Sequence, residues 1–291
     1  MKNLVLGLSI GLNMVLLGLL VFLNERYGLL VKVERVVFRE GRVPGMAASY
    51  EMNRNYQVRR EMFRLDRNEA ASVLMLGDSL TVQGEWNAML GEPLVGNRGI
   101  DGDTSAGVLA RVEDDADFRG DAVVIWIGTN DVLQGEAAGA VVARIIQVVR
   151  RKVEIGKRKV EMGWPPMADS GGRMAEDGKS AEALDSGAPA TIHSPLVTAP
   201  KAPRVFVLSV PPIARWWEGA RERNGTIREI NSALAASAGG AGFVFVDLHP
   251  LLADGDGFMR GDLTSDGVHL NARGYSVVLE KLKEGPLSLK R

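Results

Sequence analysis

The 291-residue chain contains no cysteine. That excludes disulfide bridges, a thiolate nucleophile and any cysteine-ligated metal, and it carries no information about compartment. Histidine is scarce: only His193, His249 and His269 occur. A histidine-rich metal site is not expected, and a histidine base must be one of these three. No charge of one sign dominates. Thirty-five Lys and Arg against 36 Asp and Glu leave a formal net charge of −1, so there is no electrostatic footprint for nucleic acid. Hydrophobic residues make up 46% of the chain, enough for a sizeable core, and the length suits one large domain or two small ones.

Charge is also missing from residues 4–23, an uncharged run of 20. As a helix it would span about 30 Å, the thickness of a bilayer core. It ends Val21-Phe22-Leu23-Asn24-Glu25-Arg26, without the small-x-small pattern of a signal cleavage site. The expectation is an uncleaved amino-terminal anchor over 1–26, a transmembrane helix in contact with lipid; secretion after signal cleavage is the alternative. Lys2 favours an inside amino end and an extracytoplasmic catalytic domain, a bias that Arg26, Lys32, Arg35 and Arg39 weaken. Residues 27–69 read as a stalk followed by a helix from about 47 to 68. In that helix Val58, Met62 and Leu65 recur at i, i+4 and i+7 among Arg59, Arg60 and Arg64. It could lie on a membrane surface or pack on the domain that follows.

From residue 70 the pattern alternates. Apolar runs at 73–76, 93–96, 122–127, 204–209 and 243–247 predict five strands. Helical stretches are expected at 106–112, 135–153, 224–238 and 271–283. Residues 162–202 break the pattern. They are rich in Gly, Ser, Ala and Pro, without periodicity, and read as a disordered insertion within one 70–291 domain. Strands apolar on both faces, alternating with helices, imply an α/β fold: a doubly wound, five-stranded parallel sheet in a three-layer α/β/α sandwich.

Four loops then reach the carboxyl edge of one sheet, where such folds bind ligands. They carry Gly77-Asp78-Ser79, Gly102, Gly128-Thr129-Asn130-Asp131 and Asp266-Gly267-Val268-His269. A serine needs a histidine to take its proton, and the histidine needs a carboxylate on its other ring nitrogen. Asp266, three residues before His269, can share its side of a short loop. A glycine amide and an asparagine side chain suit a developing oxyanion.

These blocks, in this order, resemble the SGNH (GDSL-type) hydrolases over about 70–285, minus the insertion. Asn97-Arg98-Gly99-Ile100 and Ile127-Gly128-Thr129-Asn130 are most similar to the branch related to platelet-activating-factor acetylhydrolase catalytic subunits. The resemblance implies a flavodoxin-like fold, no cofactor, no metal, and an esterase acting on a small-molecule, glycan or lipid acyl ester. It implies Ser79 as nucleophile, His269 as base then acid, Asp266 as its orienting partner, and Ser79, Gly102 and Asn130 as oxyanion donors. An acyltransferase or O-acetylesterase acting on cell-surface glycans with the same triad is one alternative. A non-catalytic binding protein on this fold is another. Asp78 is expected to be scaffolding, and His249 to cap the corner after the fifth strand. Gly99 stays an alternative to Gly102. Trp216 and Trp217 are either core or the wall of a substrate pocket.

Overall fold

The structure is a computed structural model and describes residue 22 and residues 54–66, 71–91, 93–163 and 201–288. The expected anchor over 4–23, save residue 22, the stalk, and most of the 162–202 insertion with His193 lie outside the described residues. Among the described residues no helix is long and apolar enough to cross a membrane. The chain divides into two units, Met1–Ala48 and Ser49–Arg291; everything below concerns the second.

Strands β1 (Val73–Gly77), β2 (Val95–Gly99), β3 (Ala122–Trp126), β4 (Arg204–Leu208) and β5 (Val244–Val246) form one parallel sheet in the order β2-β1-β3-β4-β5. The helices are α1 (Arg54–Leu65), α2 (Ser79–Val82), α3 (Trp86–Leu90), α4 (Ser105–Ala110), α5 (Thr129–Leu133), α6 (Ala138–Glu161), α7 (Ala220–Ala241), α8 (His249–Leu252) and α9 (Ala272–Lys283).

The near-continuous apolar strands are explained by burial on both faces. Leu74, Leu76, Val123, Ile125, Val205 and Val207 point to one side, where Val108 of α4, Val141, Ile145 and Val148 of α6, and Ile227 and Ile230 of α7 cover them. Their alternates Val73, Met75, Val124, Trp126, Phe206 and Leu208 point to the other, under Trp86 of α3, Leu252 of α8, and Tyr275, Val278 and Leu282 of α9. Two cores on either side of one sheet make the three-layer sandwich expected. The order reverses between β1 and β3, and a doubly wound sheet opens its ligand crevice at that point.

Three elements depart from expectation. β2 runs over Val95–Gly99, not 93–96, because its second half carries a buried arginine in place of an apolar run. The Arg98 guanidinium is kept there by Asp115 at 2.6 Å and Asp66 at 3.1 Å. The helix expected at 135–153 is α6, which starts later and runs on to Glu161, its inward face continuing through Lys152 and Ile155, and the separate short α5 precedes it. Helix α1 packs on the domain that follows it, but with the opposite face. Tyr56 and Phe63 are buried against Ile100, whereas the Val58, Met62 and Leu65 stripe is exposed. The aromatic face is the one whose neighbouring arginines find acceptors on the domain, Arg59 on Gly99 O and Arg60 on Asp114.

Candidate active site

β1 stops at Gly77 because nothing larger fits. A Cβ there would lie 2.1 Å from Thr81 Oγ1 and 2.2 Å from the Trp126 carbonyl oxygen. Asp78 caps α2, its Oδ1 accepting from the Leu80 amide at 3.0 Å, and Ser79 is the first residue of that helix. Four residues cannot hold a helix alone. Here the carbonyls are taken by outside donors: Trp86 Nε1 to Thr81 O at 2.9 Å, Asn97 Nδ2 to Thr81 O at 3.0 Å, and the Tyr275 hydroxyl to Leu80 O at 2.9 Å. Ser79 is held in place on β1, β2 and α9 together, and only 8% of it is exposed.

The loop after β5 and α8 brings the second group. Thr264 Oγ1 donates to His269 O at 2.6 Å and accepts from the Gly267 amide at 2.8 Å, folding the segment on itself. Asp266 Oδ1 accepts from the amides of Val268 at 2.9 Å and His269 at 2.8 Å, and its Oδ2 lies 2.6 Å from His269 Nδ1. On the other side of the ring, His269 Nε2 is 2.9 Å from Ser79 Oγ. Burial pushes the Asp266 carboxyl up, yet the His269 ring and the two amides outweigh it and hold it below the usual carboxylate range. An ionised Asp266 on Nδ1 fixes the proton there and leaves Nε2 as acceptor for the serine hydroxyl.

A third group follows β2 and β3, the two strands that flank β1. The Asp103 amide donates to Ile100 O at 3.1 Å, closing a turn in which Gly102 has φ +74°. Among the described residues neither the Gly102 nor the Ser79 amide has an acceptor. Asn130, in the first turn of α5, donates one amide hydrogen to Asp103 O at 2.9 Å, which orients its side chain and leaves the second hydrogen available. Gly99 is excluded as a donor, since its amide is bonded to Asn97 Oδ1 at 2.9 Å. It is glycine for another reason: a Cβ would lie 2.2 Å from the Val82 nitrogen.

Beneath this turn sits a buried network that pattern reading missed. Arg111 donates to Asp103 at 2.9 and 3.0 Å and to Gly77 O at 3.1 Å. Burial pushes the Asp103 carboxyl up to about 6 despite Arg111. Asp78 has no such cation. Burial, with Asp103 and Asp131 nearby, pushes it up to about 8, and its Oδ2 is buried without a partner among the described residues. The signal available was a single arginine on the short helical stretch after an Asp-Thr pair.

Other candidates fall away from the serine. His249 opens α8, its amide bonded to Asp247 Oδ1 and Ser209 Oγ; no hydrogen bond joins it to Ser79. Trp217 braces the acid loop, its Nε1 donating to Asp266 O at 2.7 Å. Trp216 is 62% exposed and packs with it over Gly267. Neither lines the clefts of about 570 and 320 Å³, which lie along α4 and α6, and below α1. Among the described residues no three acidic or histidine side chains are grouped to hold a metal ion.

With this geometry in hand, the comparisons are specific. The model of the GDSL-like Lipase/Acylhydrolase family matches residues 75–277. No curated protein matches in sequence. Among solved structures, one from Streptococcus pneumonia assigned as a platelet activating factor is 18% identical. It matches 79% of this chain and 92% of its own, with a TM-score of 0.56. A GDSL-like lipase from Bacteroides thetaiotaomicron is 20% identical over 81% and 96%, with a TM-score of 0.52. An assigned acylhydrolase from Bacteroides fragilis is 20% identical over 82% and 97%, with a TM-score of 0.53. At these identities the structural likeness speaks for the fold. The family match covers well over half the chain and includes all four blocks, so the chain belongs to the GDSL-like lipase/acylhydrolase family and is a carboxylic ester hydrolase.

Proposed function

We propose that the chain is a membrane-anchored serine esterase that cleaves a small acyl ester through an acyl-enzyme. The observation that carries this reading is the hydrogen-bonded series Ser79 Oγ, His269, Asp266 at 2.9 and 2.6 Å. His269 Nε2 takes the hydroxyl proton as Ser79 Oγ bonds to the ester carbon. The carbonyl oxygen becomes an oxyanion held by the Ser79 and Gly102 amides and the free hydrogen of Asn130. Collapse expels the alcohol oxygen, which receives the proton from His269. Water then gives a proton to the same nitrogen, attacks the acyl carbon and releases the acid and Ser79. His269 and Asp266 are 31% and 49% exposed at the side chain. That openness supports a short acyl group whose alcohol moiety stays in solvent. The uncharged run over 4–23 supports an anchor with the catalytic domain outside the cytoplasm.

The test is fluorophosphonate labelling of the full chain together with hydrolysis of a short p-nitrophenyl ester. Wild type should form an adduct at Ser79, and Ser79→Ala should lose both adduct and turnover. Hydrolysis surviving in Ser79→Ala refutes the assignment. Adding a sugar acceptor separates hydrolysis from acyl transfer, because only transfer yields an acylated sugar. Release of the full chain from membranes by alkaline carbonate would refute the anchor alone.

A further inference from the structure

Helix α1 lies wholly outside the residues matched by the family model, 75–277, yet it touches the active-site loop. Ile100, first residue of the turn that presents the Gly102 amide, is fully buried in a small cluster whose other members are Tyr56 and Phe63 of α1. One residue earlier, Gly99 O accepts from Arg59 Nη2 at 3.3 Å. Beyond the turn, the Tyr56 hydroxyl donates to Gly107 O at 2.8 Å, inside the helix that follows. The turn is therefore gripped by α1 before, beneath and after Gly102.

The far side of the grip is equally tied. Arg60 makes a two-pronged bond to Asp114 at 2.6 and 2.7 Å. The buried Arg98 reaches Phe63 O at 3.4 Å and also bonds the Asp66 carbonyl at the end of α1. Phe63 is surrounded by the guanidinium groups of Arg98 at 4.7 Å, Arg59 at 4.9 Å and Arg111 at 5.7 Å from its ring centre. A guanidinium over a ring face is attracted by the ring's quadrupole. Three on one ring make it the pin between α1 and the network under Asp103.

We infer that α1 is a working part of the active site, with Tyr56, Arg59 and Phe63 as positioning residues that set the Gly102 amide through Gly99 and Ile100. This rests on the reading of Gly102 as an oxyanion donor. A backbone donor on a turn has no rotamer to hold it; its direction is that of the turn. Displacing a positioned group by about 1 Å can cost roughly a hundredfold in rate, and an oxyanion donor acts on the transition state far more than on bound ester.

The experiment uses the full chain with Arg59→Met, Arg59→Lys, Tyr56→Phe and Phe63→Leu. Turnover is measured per active site, counted by fluorophosphonate titration, so that misfolded protein does not enter kcat. Arg59→Met and Phe63→Leu should each lower kcat about tenfold with KM moved less than about twofold. Arg59→Lys, which keeps a donor for Gly99 O, should recover most of the loss, and Tyr56→Phe should fall a few-fold. Per-site kcat within twofold of wild type in both Arg59→Met and Phe63→Leu overturns the inference, as does a loss that appears only in KM or only in the number of titratable sites. If instead Ser79→Ala stays active, the underlying assignment has failed and not the role of α1 alone.

Discussion

Replacing Asp78 by asparagine removes an ionisable group from beside the nucleophile while leaving its shape. The carboxyl is 1% exposed, and Oδ1 accepts from the Leu80 amide, a role an asparagine oxygen can keep. Burial first, then Asp103 and Asp131, push its pKa up to about 8. In the unfolded chain an aspartate titrates near 3.9. Between those values the folded protein keeps a proton that the unfolded chain gives up. Unfolding therefore becomes easier as pH rises, at about 1.4 kcal/mol per pH unit, and summed over the window the loss is on the order of 5 kcal/mol. The stabilisation is whole below about pH 4 and spent once pH passes about 8. Asparagine has no such proton. Asp78→Asn should match wild type near pH 4.5 and exceed it by several kcal/mol at pH 8. Asp103, raised to about 6, contributes a similar slope in both proteins and drops out of the difference. Urea unfolding followed by tryptophan fluorescence at half-unit steps from pH 4.5 to 8.5 measures it. Parallel curves for the two proteins would refute the reasoning, since they would mean that folded Asp78 is already ionised at neutral pH.

The other expectations concern the loops. Asn130→Ala removes the side-chain donor and should lower kcat about a hundred- to a thousandfold with KM little changed; an unaltered kcat would strike Asn130 from the oxyanion site. Gly267 has φ +95°, and a Cβ would lie 2.4 Å from Trp217 Cδ1, so Gly267→Ala should shift the acid loop and cut kcat while the melting temperature also drops. Wild-type turnover in that variant would show that the loop tolerates the strain. Arg111→Met strands the Asp103 carboxylate in the interior and should destabilise by about 3–5 kcal/mol, readable by urea unfolding at pH 7.5, with a smaller penalty at pH 5 where Asp103 can hold a proton.

The sheet was legible because β1 and β3 are buried on both faces and so are written without a single polar side chain, Val-Leu-Met-Leu-Gly and Ala-Val-Val-Ile-Trp. β2 was misplaced because a buried Arg98 reads as surface until its acids are known, and those acids come from 17 and 32 residues away. The face of α1 was misread for a related reason. Val58, Met62 and Leu65 have the spacing of a packed stripe, whereas the packed residues, Tyr56 and Phe63, are set among arginines that local hydropathy counts against burial. Ser79, Asn130, Asp266 and His269 could be singled out because each is a chemically distinct side chain in one of the short blocks that carry the family resemblance. Arg111 could not, and Trp217 was named as core or pocket wall without its role as a brace, since each bonds a backbone carbonyl and a carbonyl leaves no mark in a sequence.

The Gly77 carbonyl accepts from the Ile100 amide at 3.1 Å and from Arg111 at 3.1 Å, two residues before the serine. A single oxygen atom is thus the common fulcrum of the attacking corner and of the turn opposite it. The nucleophile and the Gly102 turn share one anchor inside the protein, beside the grip that α1 adds from outside. The exposed Trp216 and the ion pairs of Arg215 with Asp254 and Asp256 make none of these bonds, so substitutions there leave the shared oxygen and its two donors in place.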